Sequence, residues 1–308
     1  MSLRLPTDVK VRALPKQAIL IVNAMSRTGA DAFDEVRDKL IEAGINLIEA
    51  RAIADPTEME PAIRHAIAGA PMVIIGGGDG SLSSNAGLFV GHDTVFALVP
   101  LGTANSFAGT LGIPADVDSA IDVISNGTRK RIDLGRIDGA YFANAAAIGL
   151  SPMIAQTVPH KLKRYLGMVG YLIWALWCAF RFRPFKFIIE NEGRRTEELW
   201  ATEVRIANGT HHGGVELVES QEVDSGVIVI QAVTGKSIWG LAWSWFATIL
   251  KLRARHGMTR EFRGRSMVLD TRPHLKISVD GELSGKTPVT VGVAHRAIEV
   301  AVPREGQF

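Results

Sequence analysis

In the first half of the chain, short uninterrupted apolar runs alternate with stretches of helical periodicity. The apolar runs predict strands at 17–23, 72–75 and 94–99, and the segment 45–53 is interpreted as a further strand. Apolar residues recurring every three or four positions predict two helices, at 31–43 and 58–68. Strands this apolar, separated by helices, are typical of a parallel sheet covered on both faces. We therefore expect an N-terminal α/β domain.

The pattern changes after about residue 131. Short apolar runs at 131–138 and 140–147 flank Asp138-Gly139, a dipeptide that strongly favours a hairpin turn. Further short strands are predicted at 185–190, 199–207, 226–233, 266–270, 275–280, 287–293 and 298–302. Two longer segments with helical character, 161–182 and 237–255, interrupt them. The second domain should therefore be mostly antiparallel β with helical insertions.

Composition narrows the class of protein. The 308 residues are enough for about two domains, and 47% apolar with 21% charged residues excludes disordered, collagen-like and disulfide-built proteins. A net charge of +2 gives no reason to expect nucleic acid as a partner. Residues 1–16 show no signal-peptide pattern, and the longest uncharged apolar stretch, 165–180, is shorter than the roughly 20 residues of a spanning helix. Peripheral association with a membrane stays open.

Two glycine-containing loops are the most informative feature. Residues 76–81 read Gly-Gly-Gly-Asp-Gly-Ser after one predicted strand, and residues 100–108 read Pro-Leu-Gly-Thr-Ala-Asn-Ser-Phe-Ala after the next. Glycine lets a backbone approach a ligand closely, and the helix that follows offers unpaired N–H groups to an anion. Because ligands of open parallel sheets bind at the carboxyl ends of the strands, the pair predicts a phosphate site. A tight turn with Asp79 as a capping acid is the alternative for a single loop.

These loops resemble the paired motifs of the diacylglycerol kinase catalytic-domain family, which includes bacterial lipid kinases and the related sphingosine and ceramide kinases. Asn23, followed by Ser26 and Gly29, is similar to the family's first loop, and residues 279–282, Val-Asp-Gly-Glu, match its late Asp-Gly-Glu. The resemblance implies a phosphofructokinase-like α/β domain that binds the nucleotide and a β-sandwich domain that binds the lipid, with the nucleotide between them. The implied boundaries are 1–131 with 294–308 for the first domain and 132–293 for the second.

The activity that the resemblance implies is transfer of the γ-phosphoryl group of ATP to a lipid hydroxyl, with diacylglycerol as the leading acceptor and Mg²⁺ as the metal. The residues implied to bind ATP are Asn23, Gly76, Gly77, Gly78, Asp79, Gly80, Ser81, Gly102, Thr103 and Asn105. Glu282 is implied as the acceptor of the hydroxyl proton, with Asp280 and Asp79 completing the acidic centre. Asp224 and Asp133 are the implied metal ligands. Phosphoryl transfer requires these parts: positioned phosphates, a divalent metal and a proton acceptor.

Some positions depart from the family pattern, and alternatives follow from them. Ser106 stands where an acid is usual, and the sequence Val-Asp-Ser-Gly at 223–226 displaces Asp224 by one residue, which weakens the expected Mg²⁺ site. Asp133 is equally explained as a hydrogen-bonded structural acid, and Asp280-Gly281 alone as a hairpin turn. An NAD kinase-like enzyme and a non-catalytic nucleotide- or lipid-binding regulator remain the alternative functions.

A membrane surface is predicted from the distribution of tryptophan. Five of the six tryptophans, Trp174, Trp177, Trp239, Trp243 and Trp245, lie in two segments without any acid, 151–189 and 236–260. Tryptophan with clustered Lys and Arg suits an anionic lipid surface, which predicts a cytoplasmic protein peripheral to the inner membrane face. Packing of these tryptophans into the core is the alternative. His211 and His212 are interpreted as loop residues rather than metal ligands, and the sequence leaves homo-oligomerisation open.

Overall fold

The computed structural model describes residues 12–25, 29–159, 170, 173–191, 196–208, 211–212, 215–216, 223–235 and 259–307. The chain divides into two compact units, Met1–Ile132 with Ala297–Phe308, and Asp133–Arg296. We call them the N-terminal unit and the sandwich unit. The first is an α/β domain with a parallel sheet and the second is mostly antiparallel β, which confirms the fold class expected from the sequence.

The sheet of the N-terminal unit is built from parallel neighbours. Its strands are β1 (Gln17–Asn23), β2 (Asn46–Ile53), β3 (Met72–Gly77) and β4 (Val95–Pro100). They lie in the order β2–β1–β3–β4, and the end of the last strand of the chain pairs in parallel with β4 through Glu299 and Val300. Every residue of β3 and β4 is buried, which explains why these two segments are apolar without alternation.

Helices follow the strands of this sheet. They are α1 (Gly29–Glu42), α2 (Pro56–Gly69), α3 (Asp79–Ala86), α4 (Ser106–Thr110) and α5 (Val117–Asn126). Asp55 caps α2 by accepting hydrogen bonds from the hydroxyl and the N–H of Thr57, and these bonds, the hydroxyl first, hold the pKa of Asp55 below its usual value. Helix α5 was not predicted; its carboxylate cap at Asp116 and its buried Ile121 and Ile124 are signals that could have located it.

The sandwich unit contains mostly short strands and one fully described helix, α6 (Leu150–Thr157). The strands are β5 (Thr128–Ile137), β6 (Ala140–Phe142), β7 (Ala145–Gly149), β8 (Phe185–Asn191), β9 (Glu197–Ala207), β10 (His211–His212), β11 (Val215–Glu216), β12 (Ile228–Thr234), β13 (Thr259–Gly264), β14 (Ser266–Arg272), β15 (Lys276–Val279), β16 (Glu282–Lys286) and β17 (Val289–Val302). The first residues of β5 and the last residues of β17 belong to the N-terminal unit. The strand order β16–β15–β7–β9–β8–β14–β17 is antiparallel at each step.

The sheet branches at β9. This strand also pairs with β12, and β12 pairs in turn with β13. Alternate residues of these strands point into one hydrophobic core, in which Phe187, Val204, Ile230 and Leu269 are completely buried. The period-two alternation of the sequence in this half therefore corresponds to one face packed inward and the other turned outward.

The structure differs from the predicted elements at several places. The run 140–147 is two strands, β6 and β7, interrupted at Ala143 and Asn144. The runs 287–293 and 298–302 are one strand, β17, and Arg296 between them has a left-handed backbone with φ +49°. His211 and His212, interpreted as loop residues, form β10. Strands β11, β13 and β16 were not predicted. The helical segment expected at 237–255, with Trp239, Trp243 and Trp245, lies outside the described residues.

Candidate active site

The two glycine loops lie against each other at the carboxyl ends of β3 and β4. The strands stay paired up to Gly77 and Pro100, and the N–H of Leu101 then donates to the carbonyl of Gly77 at 2.9 Å. A Cβ atom on Gly102 would lie 2.7 Å from the Cα of Gly78, closer than such atoms approach. The contact between the loops therefore requires glycine at position 102.

The other glycines of the first loop have different surroundings. A Cβ on Gly76 would lie 3.1 Å from a methyl of Val22, and one on Gly77 would lie 3.0 Å from the Cβ of Ser81. At Gly80, by contrast, a Cβ would meet no atom within 4 Å. Packing therefore restricts the space for a side chain at Gly76 and Gly77, at the end of β3, whereas Gly80 borders open space.

A helix start without a side-chain cap follows the first loop. Helix α3 begins at Asp79 with Gly78 as its N-cap, which has no side chain to occupy the exposed N–H groups. The N–H of Leu82 makes the first intrahelical bond, to the carbonyl of Gly78 at 3.0 Å. The N–H groups of the preceding turn are therefore without helical partners and lie at the positive end of the helix dipole. This arrangement suits a phosphate group.

Asp79 ties the two loops together. Its Oδ1 accepts the N–H of Phe107, in the first turn of α4, at 2.9 Å. Its other carboxylate oxygen makes no hydrogen bond with any residue in the described ranges. Asp79 does cap a helix, as the alternative from the sequence supposed, but the helix is α4 and not its own. One oxygen remains that can serve as a metal ligand.

Polar side chains make further hydrogen bonds around the two glycine loops. Asn23 donates from Nδ2 to the Oγ of Ser81 at 2.6 Å, which connects the end of β1 to the glycine loop. Asn105 has a left-handed backbone, with φ +48°, and its Oδ1 accepts the N–H of Gly102 at 3.0 Å. Thr103 is exposed between them. The structure therefore brings together the residues predicted to bind ATP, while Ser26 lies outside the described residues.

The late Asp-Gly-Glu sequence forms a hairpin in the sandwich unit. Asp280 and Gly281 both have positive φ, +47° and +95°, and they connect β15 to β16. Two left-handed residues in a two-residue loop make a type I′ turn. Glu282 is the first residue of β16 and is exposed. The turn interpretation is therefore correct for the backbone, and Glu282 is left as the side chain that could react.

The carboxylate of Asp280 is already used by the backbone. It accepts N–H groups from Ala143 at 3.3 Å, Asn144 at 3.3 Å and Ala145 at 3.1 Å, and its own N–H donates to the carbonyl of Ala145 at 2.9 Å. These N–H groups turn towards Asp280, which explains the interruption between β6 and β7. The contacts favour a positioning role for Asp280, holding the hairpin that carries Glu282, over the predicted catalytic role.

Asp133 is also held by hydrogen bonds. It is 2% exposed, and its carboxylate accepts the N–H of Gly226 at 2.6 Å and of Arg296 at 2.7 Å, with His295 Nδ1 at 2.9 Å. Asp224 lies half-buried in the turn that contains Gly226. Over the described ranges, no group of three or more His, Cys, Asp and Glu side chains is arranged to hold a metal. The predicted metal roles of Asp133 and Asp224 stay predictions, and the hydrogen bonds at Asp133 favour the alternative of a structural acid at that position.

Comparison with known families covers both halves of the chain. Residues 17–137 match the model of the diacylglycerol kinase catalytic domain, and residues 144–302 match the YegS C-terminal NAD kinase beta sandwich-like domain. The chain belongs to the diacylglycerol kinase catalytic-domain family. As a member of this family it is a lipid kinase.

Curated relatives agree with this membership, and solved structures share the fold. The lipid kinase is 27% identical over 242 residues to the diacylglycerol kinase of Bacillus subtilis, covering 76% of this chain and 78% of that protein. It is 25% identical over 300 residues to the diacylglycerol kinase of Staphylococcus saprophyticus, covering 96% and 91%. A crystal structure of a diacylglycerol kinase from Bacillus anthracis superposes with a TM-score of 0.74 at 19% identity, covering 94% of this chain and 98% of that one. An Archaeoglobus fulgidus NAD kinase in complex with ATP shares the fold, with a TM-score of 0.51 at 9% identity over 94% of both chains.

Several residues that shape the site of this lipid kinase escaped the sequence analysis. The backbone N–H of Phe107 donates a hydrogen bond to Asp79, and backbone N–H groups of residues 143–145 donate to Asp280. His295 lies against Asp133 from 162 positions along the chain. Phe107 lies inside a motif and could have been suspected, whereas no local pattern marks a backbone N–H or a histidine at that sequence separation.

Proposed function

We propose that this lipid kinase transfers the γ-phosphoryl group of ATP to the hydroxyl of diacylglycerol. The observation that carries the proposal is the direct contact of the two glycine loops beside an uncapped helix start. The names of the curated relatives support diacylglycerol as the acceptor. We further propose that the protein acts in the cytoplasm, peripherally at the inner membrane face. No helix in the described part of the chain is long and apolar enough to cross a membrane.

The residues of the N-terminal unit fit a triphosphate and its metal. The backbone N–H groups from Gly78 to Ser81, with the loop at Gly102 and Thr103, would hold the phosphates, and Asn23 would lie near the nucleotide. Asp79 offers one carboxylate oxygen that makes no hydrogen bond with the described residues. Mg²⁺ is usually held by one or two carboxylates together with substrate phosphates, so Asp79 is the proposed protein ligand. When bound, the metal would offset charge on the phosphates.

Glu282 is the proposed acceptor of the proton. As the lipid hydroxyl oxygen bonds to the terminal phosphorus of ATP, Glu282 takes the hydroxyl proton and the bond from phosphorus to the bridging oxygen of ADP breaks. A proton acceptor must be held in position to be effective. Glu282 begins β16 directly after a turn that Asp280 anchors to residues 143–145, and its backbone pairs with Val279, so its backbone is held in position.

The test is transfer of labelled phosphate from ATP to a panel of acceptors in detergent micelles, with and without Mg²⁺. We expect labelled product with diacylglycerol, weaker labelling with ceramide or sphingosine, and none with NAD. Asp79→Asn should abolish labelling while the folded protein persists by circular dichroism. Labelling of NAD would assign the protein to NAD phosphorylation instead. ATP binding without transfer to any acceptor would support a non-catalytic regulator.

A further inference from the structure

A helical segment of the sandwich unit exposes a continuous apolar stripe. Residues 173–181 are helical, and the stripe consists of Ile173 (53% exposed), Leu176 (62%), Trp177 (46%) and Phe180 (75%). Their spacing of three, four and seven positions places them on one face of the helix. Four large apolar side chains exposed side by side differ from scattered surface leucines and mark a surface that binds something.

The opposite face of the same segment is packed, so the orientation of the stripe is determined. Cys178 is 1% exposed and lies in a cluster with Leu150, Ile154 and Val233. Trp174 packs partly against this cluster, and its Nε1 donates to the Oγ1 of Thr157 at 3.0 Å. The ring of Trp174 also stacks on that of Trp177, with 4.6 Å between their centroids. Trp174 is therefore partly packed, as the alternative from the sequence supposed, whereas its neighbour Trp177 is exposed.

Basic residues accompany the stripe. The guanidinium of Arg181 lies 4.7 Å from the ring centroid of Trp177, and Arg183 is exposed just after the helical residues. No Asp or Glu occurs anywhere from Ser151 to Ile189. An arginine stacked on an interfacial tryptophan can keep its charge in the headgroup layer while its stem covers apolar surface. The charge favours an anionic occupant.

We propose that this stripe inserts into the headgroup and upper acyl region of an anionic lipid bilayer. A projecting apolar ridge with tryptophan and arginine, without acids, matches interfacial helices that lie in the plane of a membrane. The biological role of this inference rests on the proposed function, because the stripe would bring the kinase to an acceptor that lies in a membrane. Binding itself does not require turnover.

The test is cosedimentation of the full chain with vesicles of phosphatidylcholine containing phosphatidylglycerol, and with vesicles of phosphatidylcholine alone. The test variant is Leu176→Asp with Phe180→Asp. The matched control is Ile41→Asp, because Ile41 is 54% exposed on α1 of the other unit. We expect strong binding of the wild type and the control to anionic vesicles, and at least about a tenfold loss for the double variant.

A second variant tests the charge. Arg181→Glu with Arg183→Glu should weaken binding to anionic vesicles by about fivefold or more for each position, and should have little effect with phosphatidylcholine alone. Undiminished anionic binding by the apolar double variant would overturn the proposal. The proposal would also be overturned if the wild type did not bind vesicles but formed a dimer in analytical ultracentrifugation, and if the apolar double variant were monomeric. A second copy of the chain would then cover the stripe.

Turnover separates this inference from the proposed function. On a short-chain diacylglycerol dispersed below its micelle concentration, the apolar double variant should phosphorylate as fast as the wild type, and on long-chain diacylglycerol in anionic vesicles it should be slowed in proportion to its lost binding. If the wild type phosphorylates no acceptor, the proposed function fails while vesicle binding still decides the role of the stripe.

Discussion

The two candidate regions of this lipid kinase are built from different parts of the chain. In the N-terminal unit the candidate site is formed by the main chain: the backbones of Gly78 and Gly102 are in contact, and the N–H groups at the start of α3 have no side-chain cap. In the sandwich unit the candidate is one exposed side chain, Glu282, on a hairpin held by Asp280. Changes to the first region should therefore affect folding and binding together, whereas the carboxylate of Glu282 can be removed without disturbing the fold.

Removing that carboxylate is the sharpest test and has the largest expected effect. Glu282→Gln should lower kcat by about 10²–10⁴-fold, the range for loss of a general base. The free energy of unfolding should change by less than about 0.5 kcal/mol, because the side chain of Glu282 is exposed and makes no hydrogen bond or ion pair with the described residues. Steady-state kinetics and urea unfolding measure the two quantities.

The matched control is Glu42→Gln, another exposed glutamate, at the end of α1. It should leave both kcat and stability unchanged. If Glu282→Gln is as active as this control, Glu282 is not the proton acceptor. If Glu282→Gln instead unfolds the protein, the difference drawn between the two regions is wrong.

In the glycine loops the expected effect on activity is smaller and accompanies a loss of stability. In Gly102→Ala the new methyl would lie 2.7 Å from the Cα of Gly78 and 2.8 Å from the Oδ1 of Asn105. The backbone must shift, which should lower the free energy of unfolding by about 1–3 kcal/mol. Displaced N–H groups should raise KM for ATP by about tenfold or more. Thermal unfolding and ATP titration measure these changes.

Gly80→Ala is the partner variant, since its methyl meets no protein atom within 4 Å. Alanine in a helix should stabilise the protein by roughly 0.5–1 kcal/mol relative to glycine. A raised KM for ATP in this stabilised variant would indicate that the nucleotide occupies the open space beside Gly80. Equal stability of the Gly102→Ala and Gly80→Ala proteins would contradict the packing described for the loops.

The smallest effects on activity are expected from a pair of aspartates in nearly identical turns. Asp138-Gly139 has nearly the same backbone as Asp280-Gly281, with φ +47° and +96°. The carboxylate of Asp138 accepts the N–H of Thr290, at 2.8 Å, whereas that of Asp280 accepts three N–H groups. Asp280→Asn should therefore cost about 1–3 kcal/mol of stability, and Asp138→Asn less than about 1 kcal/mol.

Activity distinguishes the two turns further. Asp280→Asn should lower kcat several-fold through a less well held Glu282 and leave KM for ATP unchanged, since the nucleotide is proposed to bind the other unit. Asp138→Asn should change neither constant. A loss of activity in Asp280→Asn as large as that in Glu282→Gln would return Asp280 to the catalytic role that the resemblance implied.

Local patterns in the sequence were sufficient for most of the N-terminal unit. The strand predicted at 17–23 is observed with the same bounds, and the buried strands β3 and β4 follow from uninterrupted apolar runs. The motif at 76–81 and its neighbour at 100–108 located the candidate phosphate site, because consecutive parallel strands bring their carboxyl ends to one edge of the sheet. Such features depend on residues close in sequence, or on a sheet order that local signals already suggest.

The roles of individual carboxylates were decided only by the tertiary structure. Asp280, Asp133 and Asp79 are the same type of residue in the sequence. In the structure the carboxylates of Asp280 and Asp133 each accept several N–H groups, whereas Asp79 keeps one oxygen without a hydrogen bond in the described chain. Likewise, the sequence could not show that Trp174 packs partly against the core while Trp177, stacked on it, is exposed. The donors that engage Asp133 and Asp280 come from 93 to 163 positions away, and no local pattern records which side chain a distant backbone N–H will meet.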